Sequence, residues 1–222
     1  MKRIGAIAAF LFVMNIVYSQ TVGFRPEWAF GVNAGVTLSR VGFVRRIPQT
    51  LLLQETGGLT ARYISEKNCG LLVELNYSLR GWKEEQDGVT HFNRYTRSLA
   101  YLELPALTHF YVDLGKWARL VANFGPKISY NVGEKVLEME IVVSPAADEN
   151  YYADDYKVQR RLDYGITGGL GLEIRTGIGS FILEGRYYYG LSDVFNNTRA
   201  DIFQSSHNQV IVAKLGYLMK WR

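Results

Sequence analysis

The 222-residue chain has one cysteine, five prolines and three histidines. Cys69 has no partner for an internal disulfide, and a lone sulfur does not build a multi-cysteine zinc or iron–sulfur centre. After Gln20 no uninterrupted apolar run approaches the roughly 18 residues of a transmembrane helix, so any later membrane span must be made of strands. Charged residues are sparse, at 21%, and the net charge is +4. So small an excess gives little support for nucleic-acid binding. The chain is instead rich in glycine (22), tyrosine (15) and phenylalanine (11), a mixture that favours sheets over helical bundles.

The N-terminus reads as an address. Lys2 and Arg3 precede an apolar stretch from Ile4 to Val17, and Val17 and Ser19 stand at the third and first positions before a cut ahead of Gln20. The expected organisation is a signal peptide over residues 1–19 and a β-barrel domain over 20–222. Loss of Lys2 and Arg3 would bring the net charge to +2. No cysteine follows the cut to accept a lipid.

Period-two alternation marks eight segments: Trp28–Ser39, Gln54–Ser65, Gly70–Trp82, Ser98–Val112, Trp117–Asn131, Arg161–Arg175, Ser180–Leu191 and Asn208–Arg222. Each exceeds the length of an average soluble strand, about five or six residues, and suffices for a tilted bilayer crossing of about 9–11. In the third, Leu71, Val73, Leu75, Tyr77 and Leu79 share one face, against Leu72, Glu74, Asn76, Ser78 and Arg80 on the other. The last sets Ile211, Ala213, Leu215, Tyr217, Met219 and Trp221 against Lys214, Gly216, Lys220 and Arg222. A soluble sandwich also alternates, so the pattern alone leaves both readings open. The connections separate them. Glu66–Cys69, Asp113–Lys116 and Thr176–Gly179 are hairpin turns, whereas the other four links run from 14 to 29 residues, and short strictly alternates with long. This predicts an all-β, eight-stranded antiparallel up-and-down transmembrane β-barrel with tight turns at one rim, long loops at the other and both termini on the turn side.

Alternation sends Arg62, Glu74, Arg80, Glu103, His109, Arg119, Lys127, Asp163, Glu173, Arg175, Glu184, Arg186 and Lys214 inward. An eight-stranded barrel is only wide enough for side chains to fill, so these charges should pair across the lumen as a polar plug. A wide aqueous pore is unexpected, and a narrow ion path or a ligand site at the loop end is the competing reading. Trp28, Trp117 and Phe181 begin strands, and Tyr63, Phe110 and Trp221 end them on the same rim, so they form a candidate interfacial girdle. Trp82 should face inward near the loop rim.

Gly31 with Gly35, Gly57 with Gly58, and Gly168, Gly169 and Gly171 lie inside strands, where they make room for bulky neighbours rather than cradle phosphate. Pro105 and Pro126 fall mid-strand and predict bulges. His91, His109 and His207 with Ser205 and Ser206 are candidates for acyl-transfer chemistry, but their scatter suggests no triad. Asp148, Glu149, Asp154 and Asp155 around Tyr151, Tyr152 and Tyr156, and Arg40, Arg45 and Arg46, are candidate loop contacts for a cation, a partner or anionic lipopolysaccharide.

The stretches ARYISEKNCGLLVELNYSLRGWKE, YLELPALTHFYV, ANFGPKISYNVGE, YGITGGLGLEI and FILEGRYYYGLSDV, in that order, resemble the PorT-like, or porin-family, outer-membrane β-barrel proteins of Gram-negative bacteria. The resemblance covers most of the chain after residue 19. It implies a monomeric outer-membrane barrel, some relatives of which are associated with protein secretion, and it carries no catalytic residue. The expected protein is non-enzymatic and needs no cofactor or metal. Its partners would be outer-membrane lipid and proteins met through external loops or a secretion machine. A solute or ion porin, a lipid-modifying barrel enzyme and a soluble exported ligand-binding barrel are the alternatives.

Overall fold

The computed structural model describes residues 25–43, 49–87, 92–142, 161–193 and 206–221. They form β1 (Glu27–Phe43), β2 (Gln49–Thr50), β3 (Leu52–Glu66), β4 (Cys69–Asp87), β5 (Phe92–Asp113), β6 (Ala118–Val142), β7 (Leu162–Arg175), β8 (Ser180–Asp193) and β9 (Ser206–Trp221). The eight long strands pair with their chain neighbours, all antiparallel, and β1 pairs with both β3 and β9, which closes the ring. Closure removes the free edges that an open sheet would present. The two-residue β2 lies in the first long connection and pairs Thr50 with Lys83 of β4.

Turns are tight where the sequence is short. Glu66 pairs with Cys69 across Lys67 and Asn68, and Asn68 takes φ 70°, a left-handed conformation that asparagine tolerates well. Gly115 and Gly179 supply the positive φ of the other two turns. Those two turns are tied together, since Arg175 N donates to Trp117 O and Arg175 Nη2 to Gly115 O.

The strands run further toward the loop rim than alternation indicates. β5 has 22 residues and β6 has 25, well past the roughly 9–11 that span a bilayer. Their ladder continues to Phe92 opposite Val142, with register shifts at Thr96/Arg97 and Ala100/Tyr101. Each shift resets which parity faces inward, so this extension does not appear as one period-two run.

The expected bulges at Pro105 and Pro126 do not occur. Pro105 sits opposite Lys127 and Pro126 opposite Ile166, with the register unchanged on either side. The β4–β5 ladder merely skips two pairs between Val73↔Ala106 and Asn76↔Glu103, next to Pro105. A proline removes a donor but adds no residue, so a gap in the ladder suffices.

The wall is inverted relative to a water-soluble protein. Leu59, Leu75, Phe124, Ile128, Leu170, Leu183, Leu215 and Met219 are exposed on the outer face, while Arg62, Glu74, Arg80, Lys127, Glu173, Glu184 and Arg186 are buried inside. A continuous apolar belt of this extent meets hydrocarbon, not water. Around the turn-side end of the lumen Ala29, Ile64, Tyr111, Val121, Ile182 and Leu218 form a small buried apolar cluster. Lys220 departs from the inward placement expected of it, because near the end of β9 it lies at the rim, half exposed, and pairs with Glu27 at 2.8 Å.

Glycines on the inner face stand beside large ionic side chains. A Cβ on Gly35 would lie 2.6 Å from Lys214 Cβ and 2.2 Å from Ala213 O, and one on Gly169 would lie 2.6 Å from Arg186 Cγ and 2.2 Å from Gly185 O. The lumen accommodates its ions partly because the neighbouring strand carries no side chain there.

Candidate functional site: the ion-filled lumen

Strand parity points the inner residues at one axis, and the stagger between strands decides which of them meet. Around the middle of the barrel, Glu74 of β4 accepts from Arg186 Nη1 and Nη2 of β8 at 2.9 and 3.0 Å. It also accepts from Lys214 Nζ of β9 at 2.5 Å and from Asn76 Nδ2 at 3.0 Å. Glu184 accepts from Arg186 Nε at 2.5 Å and from Asn123 Nδ2 at 2.7 Å. Two cations and two carboxylates thus form one neutral cluster in which every ion is buried.

Asn123 has a second partner, His109, whose Nδ1 lies 2.7 Å from Asn123 Oδ1. A carboxylate only accepts, so the amide NH2 of Asn123 faces Glu184 and its oxygen faces the imidazole. The proton of His109 therefore resides on Nδ1. This fully buried histidine is a structural hydrogen-bond donor.

A second cluster lies toward the loops. Arg80, six positions beyond Glu74 on β4, donates Nη1 to Asp163 Oδ2 at 3.0 Å, and its Nε stands 3.1 Å from Glu103 Oε1. The Glu103 contact falls outside hydrogen-bond geometry, which makes it a Coulombic contact. Lys127 Nζ donates to Glu103 at 3.0 Å. Asp163 also accepts from Ser192 Oγ at 2.6 Å and Asn208 Nδ2 at 3.0 Å. Arg80 lies 3.8 Å from the Tyr101 ring centre and Lys127 3.7 Å from that of Tyr188, so aromatic faces complete the cationic surroundings. Again two cations balance two carboxylates.

The turn-side ions differ. Glu173 accepts from Arg62 Nη1 at 2.9 Å, and Arg119 Nη1 is 3.9 Å from the same oxygen. Arg119 Nε donates to Asp113 at 2.8 Å and Arg175 reaches Asp113 at 3.1 Å. Arg175, expected in the lumen, lies at the rim with 22% of its side chain exposed. Asp113 is the last residue of β5 and open to solvent. The hydrogen bond from Arg119 holds its carboxyl below the usual carboxylate range. Near the loop rim Trp82 is buried beneath Arg97, which pairs with Glu134 at 2.6 Å.

The lumen holds a cavity of about 20 Å³ beside Asn33, Thr60, Glu74, Glu184 and Lys214. That is the space of about one water molecule.

The candidate girdle residues all lie toward the turn side. Trp28, Phe110, Trp117, Phe181 and Trp221 are exposed on the outer wall and Tyr63 is partly covered. The Trp28 and Tyr63 rings are 4.5 Å apart. Toward the loop side, Tyr77, Tyr130, Tyr164 and Tyr189 are also exposed outward. Their outward parity near the upper strand ends was the sequence signal for this second group. The amides Asn33, Asn76, Asn123 and Asn208 were likewise legible only as inward polar positions, without their partners.

His207 sits near Tyr189, with ring centres 5.8 Å apart, and stands well away from His109 along the barrel. His91, Ser205, Arg45, Arg46, the acidic stretch at 148–156 and the N-terminal 19 residues lie outside the described residues. Arg40 Nε donates to Gln209 Oε1 at 2.9 Å. Among the described residues no group of histidine, cysteine and acidic side chains is arranged to hold a metal ion.

Comparison with known proteins agrees with this architecture at family level. The outer membrane protein beta-barrel domain family matches residues 18–196. No curated protein matches the chain. Among solved structures, the chain is similar to the attachment invasion locus protein Ail of Yersinia pestis in complex with the heparin analogue sucrose octasulfate. Identity is 14%, coverage is 87% of this chain and 99% of that one, and the TM-score is 0.43. Neisserial surface protein A shares 12% identity over 85% of this chain and 97% of its own, with a TM-score of 0.47. The N-terminal barrel of Pseudomonas aeruginosa OprF shares 12% identity over 85% and 97%, with a TM-score of 0.31.

Proposed function

The chain belongs to the outer membrane protein beta-barrel domain family, and from that starting point we propose that it is a monomeric, non-enzymatic barrel that conducts no solute and acts through its loop end in binding, envelope organisation or assistance to secretion. The observation that carries this reading is the pair of neutral ion clusters, Glu74–Arg186–Glu184–Lys214 and Arg80–Asp163–Glu103–Lys127, stacked in a lumen whose described cavity has room for about one water. Opening a path would separate buried ions from their partners at several kcal/mol each. No solute flux repays that cost.

The long connections support the second half of the reading. A wall given over to lipid and a lumen filled with salt bridges leave the loop rim as the largest solvent-facing region. The secretion role rests on the resemblance of the sequence to PorT-like barrels, and the non-enzymatic reading rests on the structural role of His109. The N-terminal 19 residues serve, in this proposal, as the cleaved export signal.

Planar-bilayer recordings of purified protein test the sealed lumen. No discrete steps are expected, and stable, large single-channel steps would overturn the reading in favour of a diffusion pore. Affinity capture from native envelopes, comparing wild type with a variant whose 143–160 connection is replaced by a short glycine–serine turn, tests the loop role. Partners retained equally by both would oppose it.

A further inference from the structure

On the outer wall at the turn rim, β1 and β9 present two directly facing cross-strand pairs, Trp28 with Trp221 and Phe30 with Met219. Trp28 and Phe30 stack with ring planes 7° apart, and Phe30 meets Trp221 edge-on at 6.3 Å. The rings do not close over the strands. They flank a groove of about 620 Å³, within the roughly 300–1,000 Å³ of ligand-binding clefts, and its lining is almost wholly apolar apart from Lys220. Lys220 Nζ donates to Glu27 Oε2 at 2.8 Å, so one cation and one carboxylate stand beside the groove at the edge of the membrane wall.

We propose that this groove binds one acyl chain of a phosphatidylethanolamine-type glycerophospholipid from the turn-side leaflet, with the phosphate on Lys220 and the ammonium on Glu27. The groove is continuous with the hydrocarbon-facing belt, so its occupant comes from the bilayer, and its depth suits a chain rather than a headgroup. The rim selects the headgroup. A zwitterion with N–H donors completes a four-ion square with Lys220 and Glu27, the same two-plus-two arrangement found inside the lumen. Choline has no N–H to donate to Glu27, and an anionic headgroup meets its carboxylate as a like charge.

Tryptophan quenching by brominated lipid tests this, because the chain carries its own control. A variant with Trp82→Phe and Trp117→Phe retains the groove reporters Trp28 and Trp221. A second, with Trp28→Phe, Trp82→Phe and Trp221→Phe, retains only Trp117, on the outer wall at the start of β6. Both are placed in phosphatidylcholine vesicles with increasing dibrominated phosphatidylethanolamine, after folding is checked by the heat-dependent shift in gel mobility. Quenching of the groove pair is expected to saturate at low mole fraction, several-fold above that of Trp117, which follows bulk composition. Dibrominated phosphatidylcholine and phosphatidylglycerol should quench both reporter sets alike, and Lys220→Gln should abolish the excess. Parallel curves for the two reporter sets, an equal excess with the other headgroups, or an excess that survives Lys220→Gln would each overturn the proposal.

Discussion

Glu74 and Arg186 lie 112 positions apart in the chain and meet in a two-pronged ion pair at 2.9 and 3.0 Å in the middle of the barrel. Lys214 reaches the same carboxylate from β9, and Glu184 takes the remaining face of the guanidinium. Glu74 is therefore the one acceptor shared by two buried cations. Parallel N–H···O bonds of this kind are strong and directional, and they fix the relative height of β4 and β8.

Removing that acceptor leaves Arg186 and Lys214 facing each other with only Glu184 between them. Glu74→Ala is expected to lower stability by about 3–5 kcal/mol, the scale for breaking a buried ion pair from one side. Urea unfolding from lipid vesicles, followed by tryptophan fluorescence, measures it. Adding Lys214→Met to Glu74→Ala restores neutrality and should recover part of the loss, so strictly additive effects would show that the cluster is not an electrostatic unit.

Depth on the outer wall sets the cost of a charge. Leu215 lies opposite Leu183 beside the middle cluster, whereas Val136 stands on the extension of β6 beyond the ring. Leu215→Arg should cost about 2–4 kcal/mol and Val136→Arg about 0–1, by the same unfolding measurement. Equal costs at the two sites would place the hydrocarbon elsewhere.

Gly169 faces Arg186 across the β7–β8 ladder, and a Cβ there would stand 2.2 Å from a backbone oxygen. Backbone does not step aside as a flexible side chain does. Gly169→Ala is expected to cost about 1–3 kcal/mol and to reduce the folded fraction seen as the fast-migrating gel band. Gly185→Ala is the matched control, because a Cβ at Gly185 meets nothing within 4 Å.

Asp113 gives a pH dependence whose sign follows from its lowered pKa. A depressed folded-state value means a stabilising contribution that is full above the unfolded carboxylate pKa, about 3.9, and is lost as pH falls through the folded value. Because the group is exposed, the effect should stay below about 1 kcal/mol. Unfolding curves for Asp113→Asn and wild type should differ at pH 7 and converge once Asp113 is protonated, and a gap that widens on acidification would reverse the assignment.

The barrel was legible before any coordinates because each of its signals is local. Successive side chains on a strand point to opposite faces, so the alternation of Leu71 to Arg80 names an apolar wall and a polar interior from ten residues. The 3-to-5-residue turns against long connections then orient the two rims. What locality could not supply is stagger. Which inward ion meets which depends on how far each strand slides past the next. That is why Arg80 reaches Asp163 and Glu103 rather than Glu74, why Lys220 emerges at the rim, and why the register shifts in β5 and β6 concealed their upper halves. Residue order determined that this chain forms a barrel with charges inside. Closure of the ring alone decided that eight of those charges divide into two neutral groups of four, since only a fixed register brings ions from distant strands within bonding distance.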